Sequence, residues 1–300
     1  MTIAIDTSDL TRRFRRTEAV NGLTMQIPTG SIFALLGPNG AGKTTTIKLL
    51  MNLLRPSRGT ARILGVDSQH LSWRDFQRIG YVSETQKLPE WLTAEELLAY
   101  CKPMYPGWDD QLAAKLWLDL GIAAAQKLRH LSRGTRMKAA LLSSLAYRPE
   151  LVVLDEPFTG LDPLVRDELI RALLETSDDR TVLVSSHDID EIERLADWIG
   201  FINDGRLLLA EPVSSILARF RLVEVIDAES DRLPAEPRWI AQGTAGRTLR
   251  FIDTDHASHD AAVRIAAAFP SAGVRTSPMP LRDIFVTLAR RAAASPAERV

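Results

Sequence analysis

Gly37-Pro38-Asn39-Gly40-Ala41-Gly42-Lys43-Thr44-Thr45 (GPNGAGKTT) is the stretch on which the reading of this chain turns. Gly37, Gly42, Lys43 and Thr44 stand at the spacing of a phosphate-binding loop. The chemistry explains the residue types. Glycines let the backbone turn so that successive N–H groups point inward at phosphate oxygens. A helix beginning just after them adds the partial positive charge of its N-terminus. Lys43 then reaches the β- and γ-phosphates, and the Thr44 hydroxyl serves as a ligand to Mg²⁺. The loop predicts ATP as ligand and Mg²⁺ as its metal.

Working outward, the context is the required one. Ser31–Leu36 (SIFALL) is a continuous apolar run, as expected of a strand covered on both faces. After the loop, Thr44–Leu54 carries Ile47, Leu50, Met51 and Leu54 at helical spacing. Leu151–Leu154 (LVVL) and Thr181–Ser185 (TVLVS) return to buried-strand composition, with a helix predicted from Pro163 to Glu175 between them. This alternation predicts an α/β core with a mostly parallel sheet. The first of the two runs ends in Asp155-Glu156, at the strand end where open parallel sheets bind ligands. Asp155 is placed on the Mg²⁺ hydration shell, and Glu156 is the candidate base for an attacking water.

The flanking regions read differently. TIAIDTS and LTMQI look like short N-terminal strands, with Asn21-Gly22 as the hairpin signal between them. From about 88 to 148, Leu, Ala and Trp recur at helical spacing, which predicts an inserted helical subdomain. Its Trp91, Tyr100, Tyr105, Trp108 and Trp117 are expected mainly to pack that insertion. Near Phe220 the pattern changes again, to strands at Leu222–Ile226 and Arg247–Ile252 and helices at Ala257–Phe269 and Leu281–Ala293. The expected division is therefore an ATPase domain over 1–220 and a small α+β domain over 221–300.

Composition narrows the class. The chain is 45% hydrophobic and 25% charged, as ordinary globular proteins are. Thirty-seven basic against 38 acidic residues leave a net charge of −1, so bulk electrostatics give no reason to expect nucleic acid as a partner. Cys101 stands alone and forms no internal disulfide, in keeping with a reducing compartment. No apolar stretch approaches the ~20 residues needed to cross a bilayer, and MTIAIDTSDLTRRF lacks the apolar core of a signal peptide.

Leu131-Ser132-Arg133-Gly134-Thr135 adds a family likeness. It resembles the LSGGQ signature of ABC transporter nucleotide-binding subunits, and it stands before the second acidic motif in that family's order. A helix N-terminus with the Ser132 hydroxyl and Gly134 N–H can bind a γ-phosphate. In the family that phosphate belongs to the nucleotide held by the other subunit. Arg133 stands where the family has Gly, and Thr135 where it has Gln. The resemblance covers roughly the first 220 residues and extends to other positions. It implies that Phe14 stacks on adenine, that Asp162 in Gly160-Leu161-Asp162 is the interface aspartate, and that His187, after TVLVSS, contacts the γ-phosphate. Tyr81-Val82-Ser83-Glu84 falls where the family has its metal-contacting glutamine, so Glu84 brings a carboxylate toward Mg²⁺. It also adds negative charge beside Asp155 and Glu156.

The resemblance further implies an ATP-hydrolysing subunit that pairs with a second copy or a homologous ATPase. Such a subunit drives a separate transmembrane permease from the cytoplasmic face of the membrane. Trp91–Asp109, ending in MYPGWD, is most similar to a bacterial exporter-type subgroup. Two rivals are an ABC ATPase acting on DNA or ribosomes and an unrelated phosphate-loop kinase. The kinase reading leaves Leu131–Thr135 and His187 unexplained.

Overall fold

In the computed structural model, residues 2–122, 126–176, 180–227 and 233–294 are described. They fall into two compact units, Met1–Ala210 and Glu211–Val300. The sequence pattern changes only near Phe220, inside the second unit.

The first unit opens with β1 (Ile3–Phe14) and β2 (Thr17–Pro28), paired antiparallel. The turn lies at Arg15-Arg16, since Phe14 pairs with Thr17, and not at Asn21-Gly22 as the sequence signal suggested. Arg15 itself takes a left-handed φ of 51°. Asn21-Gly22 forms a bulge within β2: Leu10 faces Leu23 and Arg12 faces Val20, so Thr11 alone opposes both residues. Both amides are satisfied there. Gly22 N–H donates to Thr11 Oγ1 at 3.0 Å, and Asn21 N–H donates to the Gly205 carbonyl at 2.8 Å.

Next come β3 (Ile32–Leu36) and, after the glycine-rich loop, α1 (Lys43–Leu50). The helix stops four residues short of the expected Leu54. Asn52 adopts a left-handed φ of 56°, and the N–H groups of Leu53 and Leu54 both turn back to the Lys48 carbonyl. The strands β4 (Arg58–Ile63) and β5 (Val66–Asp67) complete a four-stranded sheet in the order β2-β1-β4-β5.

A short α2 (Trp73–Phe76) leads into β6 (Ile79–Ser83), and the helical region follows as α3 (Ala94–Cys101), α4 (Asp110–Asp119) and α5 (Arg133–Leu145). Of its aromatic residues, Tyr105 stacks on Tyr147 with ring centres 3.8 Å apart. Trp108 and Trp117 are half-buried, whereas Trp91 and Tyr100 are exposed. The chain then returns to the core through β7 (Leu151–Asp155), α6 (Pro163–Leu174), β8 (Thr181–Ser186), α7 (Ile189–Ile192), β9 (Trp198–Asn203) and β10 (Arg206–Pro212).

The six-stranded sheet runs β10-β9-β3-β8-β7-β6, and β9, β3, β8, β7 and β6 pair in parallel. Every residue of β3, β7 and β8 is buried, which explains their unbroken apolar runs. Because these neighbouring strands are parallel, their C-terminal ends lie side by side. The glycine-rich loop, Asp155-Glu156 and His187 leave the sheet from adjacent strands.

The second unit contains α8 (Val213–Arg219), β11 (Arg221–Ile226), β12 (Trp239–Ala245), β13 (Thr248–Asp253), α9 (Ala261–Ala268), β14 (Gly273–Pro278) and α10 (Leu281–Ala294). Its antiparallel sheet has the order β12-β13-β11-β14. Trp239, Phe251 and Phe269 pack together on it, with ring centres 4.7–5.9 Å apart. Strands β12 and β14 carry mostly exposed residues, so no apolar alternation announces them in the sequence.

The bulge generates a stability prediction. Gly22 has φ 61°, and a Cβ there would lie 3.2 Å from Asp9 Oδ1. Gly22→Ala should therefore destabilise the protein by about 1–2 kcal/mol, the cost of a left-handed L-residue. Asn21→Ala, at a position without positive φ, should cost clearly less in the same urea titration. Equal midpoint shifts for the two would contradict the bulge.

Candidate functional site

The glycine-rich loop is tightly built. Gly37 follows β3 so closely packed that a Cβ there would meet the Ile202 carbonyl oxygen at 2.2 Å. Gly42 has φ 106°, and a Cβ on it would lie 2.3 Å from the Ala19 carbonyl oxygen. Gly42 caps α1 without a side-chain hydrogen bond, and the helix has no acidic residue in its first turn. The N-terminal amides of α1 are thus left to an external anion. The contrast with α5 and α6 is informative, because Ser132 and Asp162 cap those helices with their own side chains.

Lys43 is 5% exposed, and its Nζ donates to the carbonyls of Gly37 at 2.7 Å and Pro38 at 3.1 Å. The same Nζ lies 3.0 Å from Glu156 Oε1. Glu156 Oε2 accepts from Thr159 Oγ1 at 2.9 Å and lies 2.8 Å from His187 Nδ1. Burial pushes the Glu156 carboxyl up, but hydrogen bonds from His187 and Lys43, with the Lys43 charge, hold it below the usual glutamate value. Glu156 also sits at φ 52°, a left-handed backbone that a non-glycine residue adopts only when its surroundings enforce it.

Asp155, one residue earlier, is in the opposite regime. Burial pushes its carboxyl up, and the hydrogen bonds from Ser185 and Thr44 offset this only in part. The Thr44 hydroxyl and the Ser185 hydroxyl each donate to Asp155 Oδ1 at 2.9 Å. Thr44 and Asp155 together make a hard-oxygen pair suited to Mg²⁺. Among the described residues no group of three or more His, Cys, Asp or Glu side chains could hold a metal alone. The Thr44–Asp155 pair fits an ion carried by one or two protein oxygens together with substrate phosphates and water.

A cavity of about 400 Å³ opens between these elements, lined in part by Asn39, Gly40, Lys43, Thr45, Glu156 and His187. Glu84 lines it too. Its backbone N–H is fixed on the Asp155 carbonyl at 3.0 Å, and its Oε1 lies 2.5 Å from the Arg133 guanidinium. Ala41 is buried below the loop.

Other expected residues lie apart from this cavity. Ser132 Oγ accepts from Thr135 N–H at 3.1 Å, as an N-cap does, and a Cβ on Gly134 would come within 3.0 Å of Val165. Asp162 accepts from the N–H groups of Leu164 and Val165, each at 3.1 Å. Phe14 is 41% exposed at the end of β1, with the Arg12 guanidinium 4.6 Å from its ring centre.

Two supporting residues escaped the sequence reading. Ser185 both donates to Asp155 and accepts from the buried Glu156 N–H at 3.0 Å, and Thr159 holds Glu156. A hydroxyl inside the buried run TVLVSS was the available signal, because a buried polar group needs a partner. Ser185→Ala strands that buried N–H and should destabilise by about 1–3 kcal/mol in urea titration. An unchanged midpoint would show that another group satisfies the Glu156 amide.

This geometry has known counterparts. The family model described as ABC transporter matches residues 20–159. The daunorubicin/doxorubicin resistance ATP-binding protein DrrA of Streptomyces peucetius is 36% identical over 248 residues, covering 77% of this chain and 74% of that protein. The Nod factor export ATP-binding protein I of Burkholderia orbicola is also 36% identical, over 212 residues, 67% of this chain and 68% of its own length. Among solved structures, an ATP-binding subunit of an ABC transporter superposes with a TM-score of 0.65 at 28% identity, covering 72% of this chain and 92% of that one. The chain belongs to the ABC transporter family, among its ATP-binding proteins.

Proposed function

We propose that this ABC ATPase hydrolyses MgATP with Glu156 as general base, in sites shared between two subunits, and so powers a separate membrane-spanning partner in export. The observation that carries the reading is the junction of Lys43, Glu156, Thr159 and His187 at the mouth of the loop. The amides at the start of α1 would bind the phosphates, and Lys43 would move from Glu156 to the β- and γ-phosphate oxygens. Glu156 would then lose one of the interactions that hold its carboxyl low. It becomes a stronger base only when substrate is present, while His187 and Thr159 keep it oriented. Thr44 and Asp155, with Glu84 near the same cavity, would hold Mg²⁺, which would supply neutralisation of the charge on the phosphate oxygens. Phe14 is assigned to the adenine.

No helix among the described residues is long and apolar enough to cross a membrane, so association with the inner face of the cell membrane would run through the permease partner. The names of the relatives favour transport over the nucleic-acid reading, and export over import. Exposed Trp91 and Tyr100 suit a partner contact.

Two experiments test this reading. Glu156→Gln should bind ATP at least as tightly as wild type, since Lys43 is no longer held by a carboxylate, while turnover falls by ~10²–10⁴, the usual loss of a general base. Near-normal steady-state hydrolysis would remove Glu156 from that role. The shared-site arrangement is tested by mixing Lys43→Ala subunits with Ser132→Arg subunits. If Ser132 and Gly134 serve the partner's nucleotide, a mixed dimer has one doubly damaged site and one intact site. It should then occlude ATP where neither parent does. Mixed dimers that form without occluding ATP would leave Ser132 as the helix cap it also is.

A further inference from the structure

Two of the three departures from the family's motifs touch each other. Arg133, the first residue of α5, places Nη2 2.5 Å from Oε1 of Glu84. Glu84 is anchored from the other side, its N–H on the Asp155 carbonyl. Its side chain belongs to two cavities at once. One is the 400 Å³ space with Lys43, Thr44 and Glu156. The other, of about 310 Å³, is lined by Arg133 and Arg136 on α5. Glu84 is thus the wall between the loop and the signature helix. Arg133 also covers the segment after β7, since a Cβ on Gly160 would lie 3.0 Å from its Nη1.

The electrostatic need is local. Asp155 and Glu156 already place two carboxylates beside the loop, and the ammonium of Lys43 is paired with Glu156. A third carboxylate facing the same cavity would repel a polyphosphate. The glutamine usual in the family would not. A guanidinium in contact with Glu84 cancels that repulsion and holds the carboxylate on the α5 side. The pair is partly exposed, with side-chain exposures of 44% for Arg133 and 33% for Glu84, so its contribution to folding is small. Its consequence should appear in nucleotide affinity.

We propose that Arg133 is a positioning residue for Glu84: it pairs with the carboxylate that replaces an amide, and so makes the phosphate cavity acceptable to ATP. The inference rests on the ATP-binding reading above and explains the departures at Glu84 and Arg133 as one change. It predicts that the two positions are coupled, and that Glu84→Gln makes Arg133 dispensable.

The test is a double-mutant cycle on ATP affinity, read by calorimetry on the full chain with and without Mg²⁺. The variants are Glu84→Gln, Arg133→Ala, their combination, and Arg133→Lys. Arg133→Ala alone should weaken ATP binding roughly tenfold at low salt, and less at high salt as the repulsion is screened. In the Glu84→Gln background the same change should have little effect, and Arg133→Lys should keep most of the affinity. Urea midpoints should stay near wild type, which separates this role from a purely structural one. Equal losses in the two backgrounds would overturn the proposal and make Arg133 an independent phosphate ligand. No loss in either would also overturn it. A wild-type chain that binds no ATP would sink the proposed function itself, a result distinguishable from normal binding with additive effects.

Discussion

The buried ion pair between Lys43 and Glu156 ties this structure together. An ammonium 5% exposed and a carboxylate 11% exposed meet at 3.0 Å, joining the loop after β3 to the end of β7. Neither charge tolerates burial alone, since removing one partner from a buried pair typically costs about 3–5 kcal/mol. The pair is possible only because β8 separates β3 from β7 in a parallel sheet and brings His187 and Ser185 to the same edge. Ser185 then reaches across to Asp155 and to the Glu156 amide, and Thr44 hydrogen-bonds Asp155 from the loop side. The polar edge of the sheet is therefore one connected unit. In the proposed mechanism a triphosphate entering the loop would compete with Glu156 for Lys43, linking substrate binding to the basicity of the carboxylate.

Much of this was legible in the sequence, for specific reasons. The loop's glycines are demanded by backbone approaches that admit no Cβ, at Gly37 and Gly42, and its position between an apolar run and a helix follows from the parallel core. The runs at Ile32–Leu36, Leu151–Asp155 and Thr181–Ser186 read as strands because both of their faces are covered. What escaped depends on partners remote in the chain. Asn21-Gly22 looks like a hairpin turn locally, but its bulge is set by Thr11 and by the Gly205 carbonyl. Asn52 ended α1 early through its own left-handed backbone, against a pattern that continued to Leu54. The strands at Trp239–Ala245 and Gly273–Pro278 carry few buried side chains and so little periodicity.

The signature helix shows how one residue can satisfy two readings. Ser132 caps α5 within its own chain, and Gly134 is explained by its close approach to Val165. Both facts describe the helix as a folded element within its own chain. Glu84 and Arg133 looked like two separate weaknesses of the motif pattern. Their contact turns them into one feature, which sequence spacing alone had no means of revealing across 49 positions.

The exchange of Lys43 between Glu156 and phosphate is the centre of this account. It is tested most directly by following the ¹³C resonance of the Glu156 carboxyl through a pH titration, assigned by its loss in Glu156→Gln. Alone, the carboxyl should titrate below the usual glutamate range, as its contacts with His187 and Lys43 require. With saturating ATP in a metal chelator, Lys43 is drawn to the phosphates and the titration should move upward. A Glu156 titration that ATP leaves unchanged, with binding verified in the same sample, would contradict the account.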